Sequence, residues 1–208
     1  MVTHGLRIYC DKEVVPRYSQ FDAAHREDHA RAVIERSLRL SRHYDVREDI
    51  VYAAAAFHDT GLVAGRERHH LESGRIVRTD SRLPEWFSAE EIELIAQAVE
   101  DHRASAGREP RSLYGRILAE ADRLIDPETI IRRTIQYGLS HYPDLGAEGH
   151  WERTLEHLRE KYGRGGYLKL CLPESENGAP LEQLRLIIDD PKRLRTIFDR
   201  LFSEAGQL

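Results

Sequence analysis

From Ile50 to Phe57 the chain reads Ile-Val-Tyr-Ala-Ala-Ala-Ala-Phe, an apolar run with almost no face to offer water, and it stops on His58-Asp59-Thr60-Gly61. A helix that is apolar nearly all round belongs at the centre of a protein. Asp45-Val46-Arg47-Glu48 just before it is a capping pattern, with Glu48 three residues after Asp45, and it predicts where this helix begins. Neighbours in a regular helix point about 100° apart, so His58 and Asp59 cannot share a face inside one. At a helix end they can reach the same point.

The rest of the chain reads as helices that pack around that run. Apolar or small positions Ala30, Val33, Ile34, Ser37, Leu38 and Ser41 recur at steps of three and four between Asp22 and His43, and His29 lies on the same stripe. A helix is predicted from about His69 to Arg78, with His70, Gly74 and Val77 on one face. Ser88-Ala89-Glu90-Glu91 is a capping box that opens a helix whose stripe, Ile92, Ile95 and Val99, ends on His102. Arg103 to Pro110 reads as a polar turn, and the next helix, about Leu113 to Ile125, aligns Leu118, Asp122 and Ile125. Asp126-Pro127 caps a helix to about Tyr137.

Trp151 to Tyr162 reads as a further helix, and Asp190-Pro191 caps the second of two closing helices. Leu6 to Tyr9 reads as a short extended piece, with organised structure beginning near Phe21. Tyr167 to Leu172 alternates and is expected to be a strand or an extended arm. Gly163 to Gly166 is expected to be a plain turn, with phosphate cradling as the lesser reading. The expectation is an all-α chain, one domain over 1–208, with a core over about 22–138 and a C-terminal helical extension over about 139–208.

Composition narrows the class. The formal net charge of -5, with both signs interleaved, argues against nucleic acid as the main partner. Two cysteines are too few for a disulfide framework, and no stretch has the length of a membrane span or an export signal, so a soluble, cytoplasmic protein is expected. Eleven histidines stand out and direct attention to metal.

His29, His58, Asp59, His70, His102 and Asp122 come from five helices or helix ends, and four of them occupy interior positions of their stripes. Burying so many imidazoles and carboxylates together requires many compensating hydrogen bonds, or a metal. Nitrogen and carboxylate donors without thiolates suit iron, manganese, zinc or nickel, and six ligands suffice for two ions bridged by Asp59.

His29, then His58-Asp59, then Asp122 within Ala119-Glu120-Ala121-Asp122 resembles the HD-domain metal-dependent phosphohydrolase superfamily, whose signature is His, His-Asp, Asp on a helical core. The resemblance covers about residues 22–138. His70-Leu71-Glu72-Ser73-Gly74 and Ala98-Val99-Glu100-Asp101-His102 resemble the elements that give some HD proteins a second ion. The resemblance implies one or two divalent transition-metal ions. His29, His58, Asp59 and Asp122 would hold one ion; His70, His102 and the bridging Asp59 would hold the other. His69 competes with His70, which is preferred for its spacing to Gly74.

The implied activity is hydrolysis of a nucleotide, dinucleoside polyphosphate or other phosphate ester by metal-activated water, with Asp59 and Asp122 as catalytic carboxylates. Arg66, Arg68 and Arg103 stand beside the ligands in sequence and are the candidates for phosphate binding. Leu62 occupies the place where many two-metal HD phosphohydrolases carry a lysine. That departure leaves room for the HD-type di-iron oxygenases, whose upstream Tyr and acidic residue Tyr18 and Asp22 or Glu27 match loosely, and for a non-catalytic nucleotide-binding module.

Overall fold

The computed structural model describes residues 1–21, 27–103 and 109–205. The expected helix start at Asp22, the acidic candidate there and most of the polar turn after Arg103 lie outside the described residues. Among those described there are ten α-helices and no strand, and the chain divides into two compact units, Met1–Arg123 and Leu124–Leu208. The division falls inside the stretch read as core, about fifteen residues ahead of the expected extension.

In the first unit α3 (Glu48–Phe57) is the central helix. Every residue from Asp49 to Phe57 is buried, and the helix packs against α2 (Glu27–Ser41), α5 (Ala89–Asp101) and α6 (Leu113–Asp122). Its small Ala53 to Ala56 let these helices approach closely. Its start departs from expectation: the N-cap is Arg47, whose side chain makes no capping bond, and not Asp45. Instead, Glu48 and Asp49 place negative charge on the first turn, where the helix dipole favours it. Asp49 accepts from the Thr3 backbone N–H (2.7 Å) and the Thr3 hydroxyl (2.9 Å), tying the N-terminus to this helix.

From His4 to Gln20 the chain is helical, not extended. Helix α1 (His4–Tyr9) runs into a π turn (Cys10–Val14) and a 3-10 segment (Val15–Gln20). Leu6, Tyr9, Cys10, Val14, Val15 and Tyr18 are all buried, a helical spacing that the apparent alternation over Leu6 to Ile8 conceals. Pro16, which has no N–H to give, sits where the tighter segment begins.

Two further helices complete the unit's core. Helix α4 (His69–Thr79) packs on α5, which opens with the expected capping box: the Ser88 hydroxyl accepts from the Glu91 N–H, and Glu91 accepts from the Ser88 N–H (3.0 Å). Helix α6 ends at Asp122, earlier than Ile125, because Arg123 is already extended.

The second unit is built from α7 (Pro127–His141), α8 (Ala147–Tyr162), α9 (Gly178–Ile188) and α10 (Pro191–Ala205), around Ile131, Ile135, Leu158, Leu184, Leu194 and Phe198. Asp126 and Asp190 cap α7 and α10 as expected. Tyr167 to Leu172 forms no strand. It is an irregular arm whose Tyr167 and Leu168 N–H groups donate to the α8 carbonyls of Glu160 and Lys161. Gly163 and Gly166 lie so close to α8 carbonyls that a Cβ at either would stand 2.6 Å from one. Their amides donate to Leu158, Arg159 and Gly163 carbonyls, so this is a helix-ending turn and not a phosphate cradle.

Candidate metal centre

Helix α3 ends at Phe57, and the chain leaves it through His58 and Asp59, whose backbone (φ -110°, ψ 8°) turns into a 3-10 segment, Thr60–Ala64. The turn delivers both side chains to the space between α2, α4, α5 and the end of α6. There the Asp59 carboxylate is shared between two sets of side chains. Its Oδ2 faces His58 Nε2 (3.4 Å) and His29 Nε2 (3.8 Å), and its Oδ1 faces His69 Nε2 (3.2 Å) and His102 Nε2 (3.4 Å). Asp122 Oδ1 joins the first set, 3.2 Å from His29 and 3.7 Å from His58. Within each trio, His29-His58-Asp59 and Asp59-His69-His102, the ligand atoms lie within 4.8 Å of one another.

His69, and not His70, is the fourth histidine of this cluster. The preference for His70 rested on its spacing to Gly74, but that face looks at α5: a Cβ on Gly74 would stand 2.7 Å from the Glu100 side chain. The face carrying His69 and Ser73 looks at the His58-Asp59 turn. Ser73 Oγ accepts from the Gly61 N–H (2.8 Å), and a Cβ on Gly61 would stand 2.2 Å from the His69 carbonyl. Only glycine permits that approach, which places the first residue of α4 beside Asp59. The overlooked signal was Ser73, a small hydroxyl residue one turn after His69.

The imidazoles are held in one tautomer. Nδ1 of His58 donates to the Ala55 carbonyl (2.8 Å), Nδ1 of His69 to Arg66 (2.8 Å) and Nδ1 of His102 to Val99 (2.5 Å). Each ring, when neutral, then presents its lone pair at Nε2. Yet the Nε2 atoms of His69 and His102 stand 3.2 Å apart, as do those of His29 and His58. Two lone pairs at that distance repel, so a proton or a metal cation must lie between them. Two donors each about 2.1 Å from one zinc-like ion stand roughly 3.0–3.4 Å apart, so the residues fit a metal by both spacing and donor chemistry.

The electrostatics agree. Burial opposes charge on His58, but Asp59 and Asp122 outweigh it and push the imidazole up to about 9. Asp59 is buried and Asp122 partly so, and their histidine neighbours hold both carboxyls below the usual carboxylate range. His69 moves down, through burial, its His102 neighbour and Arg103. On the His58 side the site favours positive charge, and both its carboxylates stay ionised.

Access is uneven. Side-chain exposure is 0% at His58, 2% at His102 and 5% at Asp59, but 12% at His69, 22% at His29 and 26% at Asp122. Of the three arginines expected near phosphate, Arg66 and Arg68 are exposed, and Arg66 serves the site through its main-chain carbonyl to His69. Arg103 is half-buried; it donates to the Glu67 carbonyl and is the one whose charge His69 feels. Leu62 lies in the 3-10 segment, so that position supplies no cation. Tyr18 is fully buried directly behind the pair, whereas Glu27, at the start of α2, is partly exposed near Arg31.

Residues 26–125 match the HD domain, a span that holds His29, His58, Asp59, His69, His102 and Asp122. Comparison with curated proteins and with solved structures finds no match. HD domains bind divalent metals, and this one has the His/Asp groups to do so.

Proposed function

Since the chain carries an HD domain, the mark of the HD metal-dependent phosphohydrolase superfamily, we propose that it is a two-metal phosphohydrolase acting on a nucleotide, dinucleoside polyphosphate or other phosphate ester. The observation that supports this best is the Asp59 carboxylate, which turns one oxygen toward His29, His58 and Asp122 and the other toward His69 and His102. His29, His58, Asp122 and Asp59 Oδ2 would hold one ion, and His69, His102 and Asp59 Oδ1 the other. Two such ions supply an acidified water and neutralise phosphoryl oxygens.

The protein's part is to hold that arrangement rigid. Backbone carbonyls at Ala55, Arg66 and Val99 aim three of the four imidazoles, and the depressed carboxyls of Asp59 and Asp122 keep two negative charges at the centre. Substrate enters on the His29-Asp122 edge, the more exposed one, and Arg103 is the best-placed of the three arginines to meet phosphate near His69.

The test is metal analysis of the purified protein beside a screen of mono-, di- and dinucleoside phosphates with manganese or iron. Two ions per chain and phosphate release are expected, with His69→Ala and His102→Ala each lowering the metal content to one or below. One ion or none in the wild type, unchanged by either substitution, would sink the two-metal reading. Oxygen uptake without phosphate release would favour the di-iron oxygenases, and binding of nucleotide without turnover a regulatory module.

A further inference from the structure

The N-terminal segment lies ahead of residues 26–125, yet one of its side chains reaches the centre of the site. Tyr18, within the 3-10 segment, is wholly buried, its ring edge-on to Phe21 at 5.5 Å and 5.8 Å from the His58 ring. Its hydroxyl donates to the Ala56 carbonyl (3.0 Å), accepts from the Asp59 backbone N–H (3.0 Å) and lies 3.3 Å from His58 Nδ1. We infer that Tyr18 is a positioning residue of the metal centre: its hydroxyl clamps the last turn of α3 in the one conformation that aims His58 Nε2 and the Asp59 carboxylate at a common point.

The argument is one of hydrogen-bond accounting at a helix end. Past Phe57 the terminal carbonyls and the following N–H groups need partners that the helix no longer supplies. The Tyr18 hydroxyl satisfies one of each, Ala56 C=O and Asp59 N–H, within the core and away from water. The neighbouring Ala55 carbonyl is thereby left to accept His58 Nδ1–H (2.8 Å), the bond that turns Nε2 toward Asp59. A phenylalanine would fill the same space but leave Asp59 N–H without that partner, so the turn would relax and take both ligands with it. Groups that orient metal ligands in this way typically change affinity by roughly 10- to 100-fold when removed.

This inference rests on the metal reading above, and the experiment separates the two. Wild type, Tyr18→Phe and, as a packing control, Phe21→Leu are titrated with Co²⁺. The dissociation constants come from chelator competition, the ligand geometry from the visible Co²⁺ spectrum, and thermal unfolding is followed with and without metal. Tyr18→Phe should bind at least one of the two ions about 10-fold more weakly or worse, with an altered spectrum, while Phe21→Leu keeps the wild-type constants. Equal loss of melting temperature with and without metal, at unchanged affinity and spectrum, would mean a merely structural hydroxyl and overturn the inference. Failure of the wild type itself to bind Co²⁺ overturns the metal reading, and this inference with it.

Should Tyr18→Phe not fold, hydrogen exchange on the wild type decides the matter. Metal should slow exchange over residues 4–20 as well as at 58–59, because coupling between sites is reciprocal. Protection confined to residues 58–59 and 102 would overturn the inference.

Discussion

Both units bury a histidine on a helical stripe, and the surroundings make the two cases opposite. In the first unit His58 and His102 turn their Nε2 atoms toward a shared carboxylate and toward other histidines. In the second, His150 of α8 is just as buried but has Arg153 beside it, and its imidazole is held below the ordinary range by burial and by that guanidinium. The first site favours a cation and the second repels one. Burial of a histidine is therefore not a metal signal; convergence on a shared carboxylate is.

The comparison breaks most sharply on metal content. Asp59→Ala removes the one group common to both trios and should abolish both ions, whereas His150→Ala and His70→Ala should leave the content of the wild type. Elemental analysis of the three variants checks this, and loss of metal in either histidine variant would break the contrast.

A smaller effect is expected from two glycines, one in each unit. A Cβ at Gly61 would meet the His69 carbonyl at 2.2 Å and the Ser73 nitrogen at 2.4 Å, both backbone atoms that cannot swing aside. Gly61→Ala should cost about 1–3 kcal/mol or more, the range for overpacking, and weaken metal binding with it. At Gly138 the nearest atoms are the tip of the flexible Arg153 side chain at 2.8 Å. Crowding there is offset by roughly 1 kcal/mol of helix propensity gained from replacing glycine inside α7, so Gly138→Ala should change stability by less. Denaturant unfolding of the two variants would show whether the order holds.

The smallest effect is one of pH, and its sign should differ between the units. His150 and His157 are both depressed by burial and neighbouring cations, so in α8 the proton is taken up only on unfolding. Their contribution is present above about 6.5 and fades as pH falls below it. His58 is raised to about 9, so in the metal-free chain its contribution is present below about 6.5 and is lost as pH rises through 9. A bound ion displaces that proton, so metal should remove the alkaline loss. Hydrogen exchange over residues 48–57 and 147–162, with and without metal, measures both, and the same sign in the two segments would refute the contrast.

Much of this was readable from spacing alone. The all-apolar Ile50 to Phe57 run could only be central, Ser88-Glu91 and Asp126-Pro127 announced their helices, His29, His102 and Asp122 sat on inward stripes, and His58-Asp59 stood at the end of the central helix. What spacing could not decide was the choice between adjacent histidines. His69 and His70 differ by 100° around α4, and the balance is set by Gly61 and Ser73, a contact between residues twelve apart whose importance shows only once the HD turn and α4 are placed together. Tyr18 was legible as a residue but not as a partner of Asp59, forty-one positions away, because the π turn at Cys10–Val14 breaks the periodicity that would have carried its stripe forward.

The exposure gradient across the site also makes its two halves unequal in time. An ion held by His29 and Asp122 would sit at the more open edge, while one held by His69 and His102 would lie behind Asp59. A chelator should strip the two in sequence, the outer one first. Asp59 would then serve as a latch between a quickly exchanging seat and a slow one, so an inner metal would bear the longer memory of how the protein was loaded.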